Sequence, residues 1–236
     1  MLPFYPMVFD PTYVLLLPAI IMVIWAQARV RSSFNEWSRV GTRSGVTAAQ
    51  VARDILDRHG LTDVPVERVR GHLSDHYDPK ARVVRLSDST YHSNSIAAIG
   101  VAAHEVGHAI QHELSYTPLQ VRNLIWPVAR IGDGLGPFLV ILGFFFGGQG
   151  GLWLMDLGIL LFLGAVVFYL ITLPVEYNAS SRAVEILETG GYMTRQEVEG
   201  ARKVLNAAAL TYVAGAAAAV MSLVRLFFLR SMASDE

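Results

Sequence analysis

Residues 152–173 read LWLMDLGILLFLGAVVFYLITL, an apolar run in which Asp156, near one end, is the single charge. A helix needs about 20 apolar residues to cross a hydrocarbon core about 30 Å thick, so this run predicts a membrane span. Residues 11–28 (PTYVLLLPAIIMVIWAQA) hold no charge and predict a second. Met1 to Asp10 lacks the basic start of a cleaved signal peptide, so the first span is expected to be retained. Residues 134–147 are apolar but short. Extended back to Ile125, with Asp133 at the interface, they reach spanning length, and GGQGG at 147–151 becomes a tight turn between two antiparallel helices. A fourth run, 207–224, is uncharged, Ala-rich and followed by Arg225; it either crosses or packs beside the others. Buried core helices are the competing reading of these runs.

Composition agrees with a bilayer, since 53% of the chain is hydrophobic and only 17% charged. A net charge of −1 gives no basic footprint for nucleic acid. Cysteine is absent, so any metal must be held by histidines and carboxylates. Loop charges orient the chain: residues 29–130 hold 13 Lys and Arg and residues 175–206 hold four, while the amino-terminal tail and GGQGG hold none. By the positive-inside rule both charged segments face the cytoplasm. Arg225 and Arg230 then lie toward the other side if the last run spans.

The segments between spans carry helix and strand signals. Thr47 and Gln50 form a capping-box pair before an apolar face of Val51, Ile55 and Leu56, with Gly60 ending the helix. Val66–Arg70 and Arg82–Leu86, separated by DHYDPKA, predict a β-hairpin. Ser93 or Asn94 is expected to cap a helix through SIAAIGVAAHEVGHAIQHEL. Pro174 is expected to stop the third span, with VEYNASSRAVEILETGG starting a new helix that ends at Gly190 and Gly191. Thr194 and Glu197 repeat the capping-box signature.

The chemistry is concentrated in His104-Glu105-Val106-Gly107-His108. An HExxH spacing puts two imidazoles on one helical face, where both can reach one zinc ion at about 2.0–2.1 Å. Glu105 falls on the adjacent flank, placed to act as general base on a water that zinc acidifies toward a pKa of about 7. The bland alternative is a surface helix with two hydrated histidines. A catalytic zinc wants a third protein ligand. The metzincin pattern would need Gly where Gln111 stands and His where Leu114 stands, so that class is excluded. His112 lies one turn further along the face and reads as a polar neighbour. Glu176, two residues past Pro174, is the strongest remaining candidate, against the simpler reading of a carboxylate favoured by a helix amino terminus.

Gly71 to His112, Val175 to Ala183 and Val204 to Ala214 resemble the YugP-type membrane zinc metallopeptidases of bacteria, over nearly the whole chain. More distantly the chain resembles HtpX-type quality-control proteases and CAAX prenyl proteases. The resemblance implies that His104, His108 and Glu176 hold the metal and that Glu105 is the base. Many peptidases of this type carry an Asp four residues after the ligand Glu, to orient a ligand imidazole. Ser180 stands there, so Ser180 and Asn178 are candidates for that supporting role. Val83–Leu86 is expected either to bind substrate backbone as an exposed strand or to be an ordinary hairpin strand. Tyr212 reads either as a donor to a developing oxyanion or as an interfacial aromatic.

The expected architecture is mainly α: a polytopic helical membrane protein of three to four transmembrane helices with a small α+β zincin-like cytoplasmic part. The boundaries read as 1–28 (first membrane helix), 29–120 (cytoplasmic part with HExxH), 121–174 (transmembrane hairpin), 175–206 (helix with the third ligand) and 207–236 (last membrane helix). The expected function is a zinc metalloendopeptidase acting on membrane or membrane-proximal proteins, with Zn2+ as cofactor and lipid, a protein or peptide substrate and a membrane-protein partner as contacts. A non-catalytic, zinc-stabilised membrane scaffold or adaptor is the alternative. Metal transport is disfavoured, because the spans lack a string of ligands.

Overall fold

The computed structural model describes residues 11–234. The reading of Met1 to Asp10 as a retained tail without Lys or Arg therefore lies outside the described residues. A short 3-10 turn, Pro11–Leu16, leads into α1 (Leu17–Trp37); α2 (Ala48–Arg58), β1 (Val66–Val69), β2 (His76–Asp78), β3 (Val83–Ser87), α3 (Ile96–Glu113), α4 (Thr117–Phe146), α5 (Gly148–Thr189) and α6 (Arg195–Ser234) follow. The chain is mainly α with a small three-stranded sheet. Four stretches are long and apolar enough to cross a membrane: Pro11–Trp37, Thr117–Phe146, Gly148–Thr189 and Arg195–Ser234. The described residues form two compact units, one of residues 11–25, 121–172 and 212–234, the other of residues 26–120 and 173–211.

The first unit contains most of the apolar surface. α4 and α5 are joined at Gly147, and Gly147 and Gly148 both take positive φ (62° and 57°), as the expected turn requires. Along this hairpin Gly132, Gly136 and Gly143 lie against Leu161, Gly158 and Gly151, so close that an added Cβ would strike the facing main chain. Without a hydrophobic driving force in lipid, such close backbone approach is what drives helices together. Val140, Met155, Ile159, Phe162, Leu226 and Leu229 fill the remaining space. The two arginines that α6 contributes to this unit are both satisfied: Arg230 grips Asp156 through two hydrogen bonds (2.8 and 3.2 Å), and Arg225 donates to Thr12 Oγ1 (3.0 Å) while stacking over Tyr13.

The second unit is built around α2, α3 and the sheet. The Thr47–Gln50 capping box is present in full, and α2 buries Val51, Ile55 and Leu56 against Val84 and Leu86 of β3 and Ile96, Ile99 and Val106 of α3. Each fully buried aliphatic side chain contributes about 1.5–3 kcal/mol. Ala183, Leu187, Val198 and Leu205 join the same core from α5 and α6.

Four local expectations are corrected. β1 and β3 do pair, but in parallel; the hairpin is formed instead by β2, which comes from the expected turn segment and runs antiparallel to β3. The sheet order β1-β3-β2 makes β3 central, so Val83–Leu86 is no exposed strand, and Val84 N–H is already spent on Pro65 O (3.0 Å). The residues between the two apolar runs are numerous enough to cross over, which a tight turn would not allow. Ser95, rather than Ser93 or Asn94, caps α3, its Oγ accepting from Ala98 N–H (3.2 Å). Pro174 does not stop a helix: α5 continues through it to Thr189. Proline is tolerated inside long apolar helices where the surroundings satisfy the backbone group it frees.

Candidate metal centre

α3 carries His104 and His108 one turn apart, with ring centroids 4.7 Å apart and planes nearly perpendicular. α5 brings Glu176 to them. Its Oε2 lies 3.3 Å from His104 Nε2 and 3.5 Å from His108 Nε2, and one ligand atom from each of the three residues falls within 4.8 Å of the others. These spacings discriminate between two uses of the trio. A carboxylate serving only as an ion-pair partner would approach to about 2.7–2.9 Å. Donors on a tetrahedron with bonds of about 2.0–2.1 Å stand about 3.3 Å apart. The two carboxylate–imidazole spacings are close to that value, and the trio could hold a single small cation.

Burial sharpens the electrostatics. Glu176 is 4% exposed; burial by itself raises its pKa, but hydrogen bonding and attraction from His104 and His108 more than offset this and hold it well below the usual carboxylate range. Glu105, 9% exposed, goes the other way: burial pushes its carboxyl up to about 7, a shift that the Glu176 charge reinforces and that of His104 opposes. The Glu105 Oε2 accepts the Tyr77 main-chain N–H at 2.9 Å. Two neighbouring carboxyls with such different environments have separate tasks available, one as a permanent anion and one as a proton carrier.

Each imidazole has a partner on its far nitrogen. Ser180 Oγ lies 3.1 Å from His104 Nδ1, so the hydroxyl reaches one of the two imidazoles. His108 Nδ1 meets Gln111 Oε1 at 3.0 Å, and Gln111 Nε2 donates to Val175 O (2.8 Å) and Asn178 Oδ1 (2.9 Å). Asn178 thus reaches His108 only through Gln111. His112 Nδ1 is engaged by the Tyr77 hydroxyl (2.8 Å), the polar-neighbour position foreseen for it. Tyr212 belongs to the other unit and is partly exposed.

His104, Glu105, His108 and Glu176 are thus gathered in one place. Gln111 and Tyr77 were not foreseen as contributors. The three-residue step from His108 to Gln111 was a usable signal, because such residues are neighbours on a helix. Nothing local to Tyr77 announced that its strand would lie beside α3.

The family described as "Putative neutral zinc metallopeptidase" matches residues 12–231. The chain belongs to that family. A relative from Bacillus subtilis (strain 168), named "Putative membrane protease YugP", is 50% identical over 222 residues, covering 94% of this chain and 97% of its own. No solved structure matches the chain. The metallopeptidase family's zinc agrees with the His-His-Glu cluster, and the relative's membrane designation agrees with the four apolar helices.

Proposed function

We propose that this protein is an integral-membrane zinc metallopeptidase that hydrolyses peptide bonds of membrane or membrane-proximal proteins. His104, His108 and Glu176 hold the metal, and Glu105 is the general base. The observation that carries this reading is the 3.3 and 3.5 Å spacing of the Glu176 Oε2 from the two Nε2 atoms. Zinc bound there supplies a Lewis acid that acidifies water and polarises a peptide carbonyl. Glu105, with its carboxyl raised to about 7, takes the proton of the attacking water and returns it to the leaving amine. The Tyr77 N–H steadies the carboxylate while it does so.

Substrate backbone is received at β2. This strand pairs only with β3 among the described residues, and the Tyr77 N–H points from its other edge toward Glu105. An extended peptide laid along that edge is held through main-chain hydrogen bonds, with little demand on side chains. The four long helices anchor the protein, and the distribution of Lys and Arg supports a cytoplasmic active site. The division into a membrane helix, a zincin-like part, a transmembrane hairpin, a helix with the third ligand and a last membrane helix is part of the same reading.

The test is Glu105→Gln in the full-length protein. This variant is expected to retain one zinc per chain and to trap, uncut, proteins that the unaltered enzyme cleaves. Cleavage at the unaltered rate would overturn the assignment of the base. Full zinc content in Glu176→Ala together with His108→Ala would overturn the metal site.

A further inference from the structure

The geometry points to Gln111 as a positioning residue that sets which nitrogen of His108 faces the metal, an inference that rests on the metal-site reading above. Gln111 has no exposed surface. A buried amide left unsatisfied is destabilising, and here both ends are engaged. The Nε2 end faces Val175 O at 2.8 Å and Asn178 Oδ1 at 2.9 Å; the Oε1 end faces His108 Nδ1 at 3.0 Å.

The orientation of that amide is dictated by its surroundings. Val175 O is a main-chain carbonyl and can only accept, so the group opposite must be the NH2. Asn178 Oδ1 is likewise committed as an acceptor, since Arg182 Nε, which can only donate, approaches it at 2.8 Å. The remaining end of Gln111 is then a carbonyl oxygen, and His108 must donate to it from Nδ1. In the neutral ring, a proton on Nδ1 leaves the lone pair on Nε2, the atom 3.5 Å from Glu176. A flipped amide would press its oxygen against the Val175 carbonyl and present NH2 to Nδ1, selecting the tautomer with a proton on Nε2, which cannot bind a metal.

His104 is held differently. Its partner is the Ser180 hydroxyl, which rotates and can donate or accept, so it orients the ring without choosing a tautomer. His108 is therefore set before metal arrives, whereas His104 adapts. The Gln111 clamp is also neutral. A carboxylate in its place would add a third buried acid beside Glu105 and Glu176 and would raise the Glu105 carboxyl further. Because Val175 and Asn178 flank Glu176 on α5, the bonds that set His108 also tie together the two helices that carry the ligands.

The test uses full-length protein in detergent, stripped of metal and titrated with Zn2+ against a chelator and with Co2+ by its visible absorption. Gln111→Leu is expected to weaken Zn2+ binding by about 10–100-fold, with Ser180→Ala losing less. Asn178→Leu is expected to weaken it several-fold, and Asn178→Asp, which keeps the acceptor for both Gln111 and Arg182, to restore it. Zn2+ affinity of Gln111→Leu within twofold of the unaltered protein, where His108→Ala has lost binding, would overturn the role of Gln111 and leave the metal site standing. Undiminished binding in His108→Ala would instead overturn the metal site. A variant-free measurement guards against misfolding: 15N shifts of metal-free protein at neutral pH are expected to show a proton on His108 Nδ1, and a bare Nδ1 would refute the clamp.

Discussion

The main-chain N–H of Tyr77 donates to Glu105 across 2.9 Å, from a strand to a helix 28 residues later. That bond shows which edge of β2 is turned toward the reactive face of α3. It also makes Tyr77 a test position, because an N–H that does not join the β2–β3 ladder can be deleted without breaking the sheet. Tyr77→Pro, on an edge strand where proline is tolerated, is expected to retain zinc and to lose at least tenfold in peptide hydrolysis. Tyr77→Phe, which removes only the hydroxyl facing His112, is expected to lose far less. Equal activity of the proline variant and the unaltered enzyme would exclude a role for the Tyr77 N–H in steadying Glu105.

Gly107, inside the HExxH segment, lies tightly against α5. A Cβ built there would stand 2.8 Å from Ala179 O and 3.3 Å from Ala179 Cα. Alanine is the better helix former by about 1 kcal/mol, so intrinsic propensity alone predicts a gain in stability. The crossing predicts a loss, since the helices bearing His104, His108 and Glu176 would be pushed apart. Gly107→Ala is expected to lower both the melting temperature and zinc affinity, the latter at least tenfold, as read by thermal unfolding and chelator competition.

Asp156 and Arg230 link α5 to α6 through two hydrogen bonds. A double-mutant cycle with Asp156→Asn and Arg230→Gln, followed by unfolding in detergent, is expected to return a favourable coupling between the two positions, as polar contacts between membrane helices do. Strict additivity of the two changes would mean that the pair contributes nothing.

Tyr192, in the turn between α5 and α6, donates its hydroxyl to Asp54 on α2. This bond first, and Arg58 after it, hold the Asp54 carboxyl below its ordinary range, against a smaller opposing effect of burial. A depressed carboxyl adds stability above the unfolded group's pKa, near 4, and gives it up as the pH falls through its lower folded value. Tyr192→Phe is therefore expected to cost up to about 1 kcal/mol at neutral pH, discounted for the partial exposure of both groups. The gap between the two proteins should close as the pH is taken below about 4. A gap that widens in acid would contradict the assigned sign.

The proposed topology places the segment around Glu113 in the cytoplasm and the Gly147–Gly151 turn on the other side. Alkaline phosphatase, which is active only outside the cytoplasm, should be inactive when fused after Glu113 and active when fused after Gly148. Strong activity after Glu113 would reverse the orientation.

The elements whose causes are local were legible in the sequence. The apolar runs revealed the four long helices because span length is a property of consecutive residues. Thr47 with Gln50 and Thr194 with Glu197 revealed helix starts because capping acts over three residues. His104 and His108 shared a face because helical period puts them there. Contacts made across the fold were not legible in the same way. Whether 66–69 and 83–87 pair in parallel depends on where the intervening chain goes, and period-2 patterning looks the same in both directions. Pro174 reads as a stop in isolation, yet the helix continues because its surroundings tolerate the missing donor. The sequence offered Glu176 as a candidate, but its distance to the imidazoles, and the amide that sets His108, exist only once α3 and α5 are packed. Local residues choose helices, caps and turns; packing chooses which of them meet, because partners distant in sequence leave no periodic trace until burial forces their polar groups to find one another.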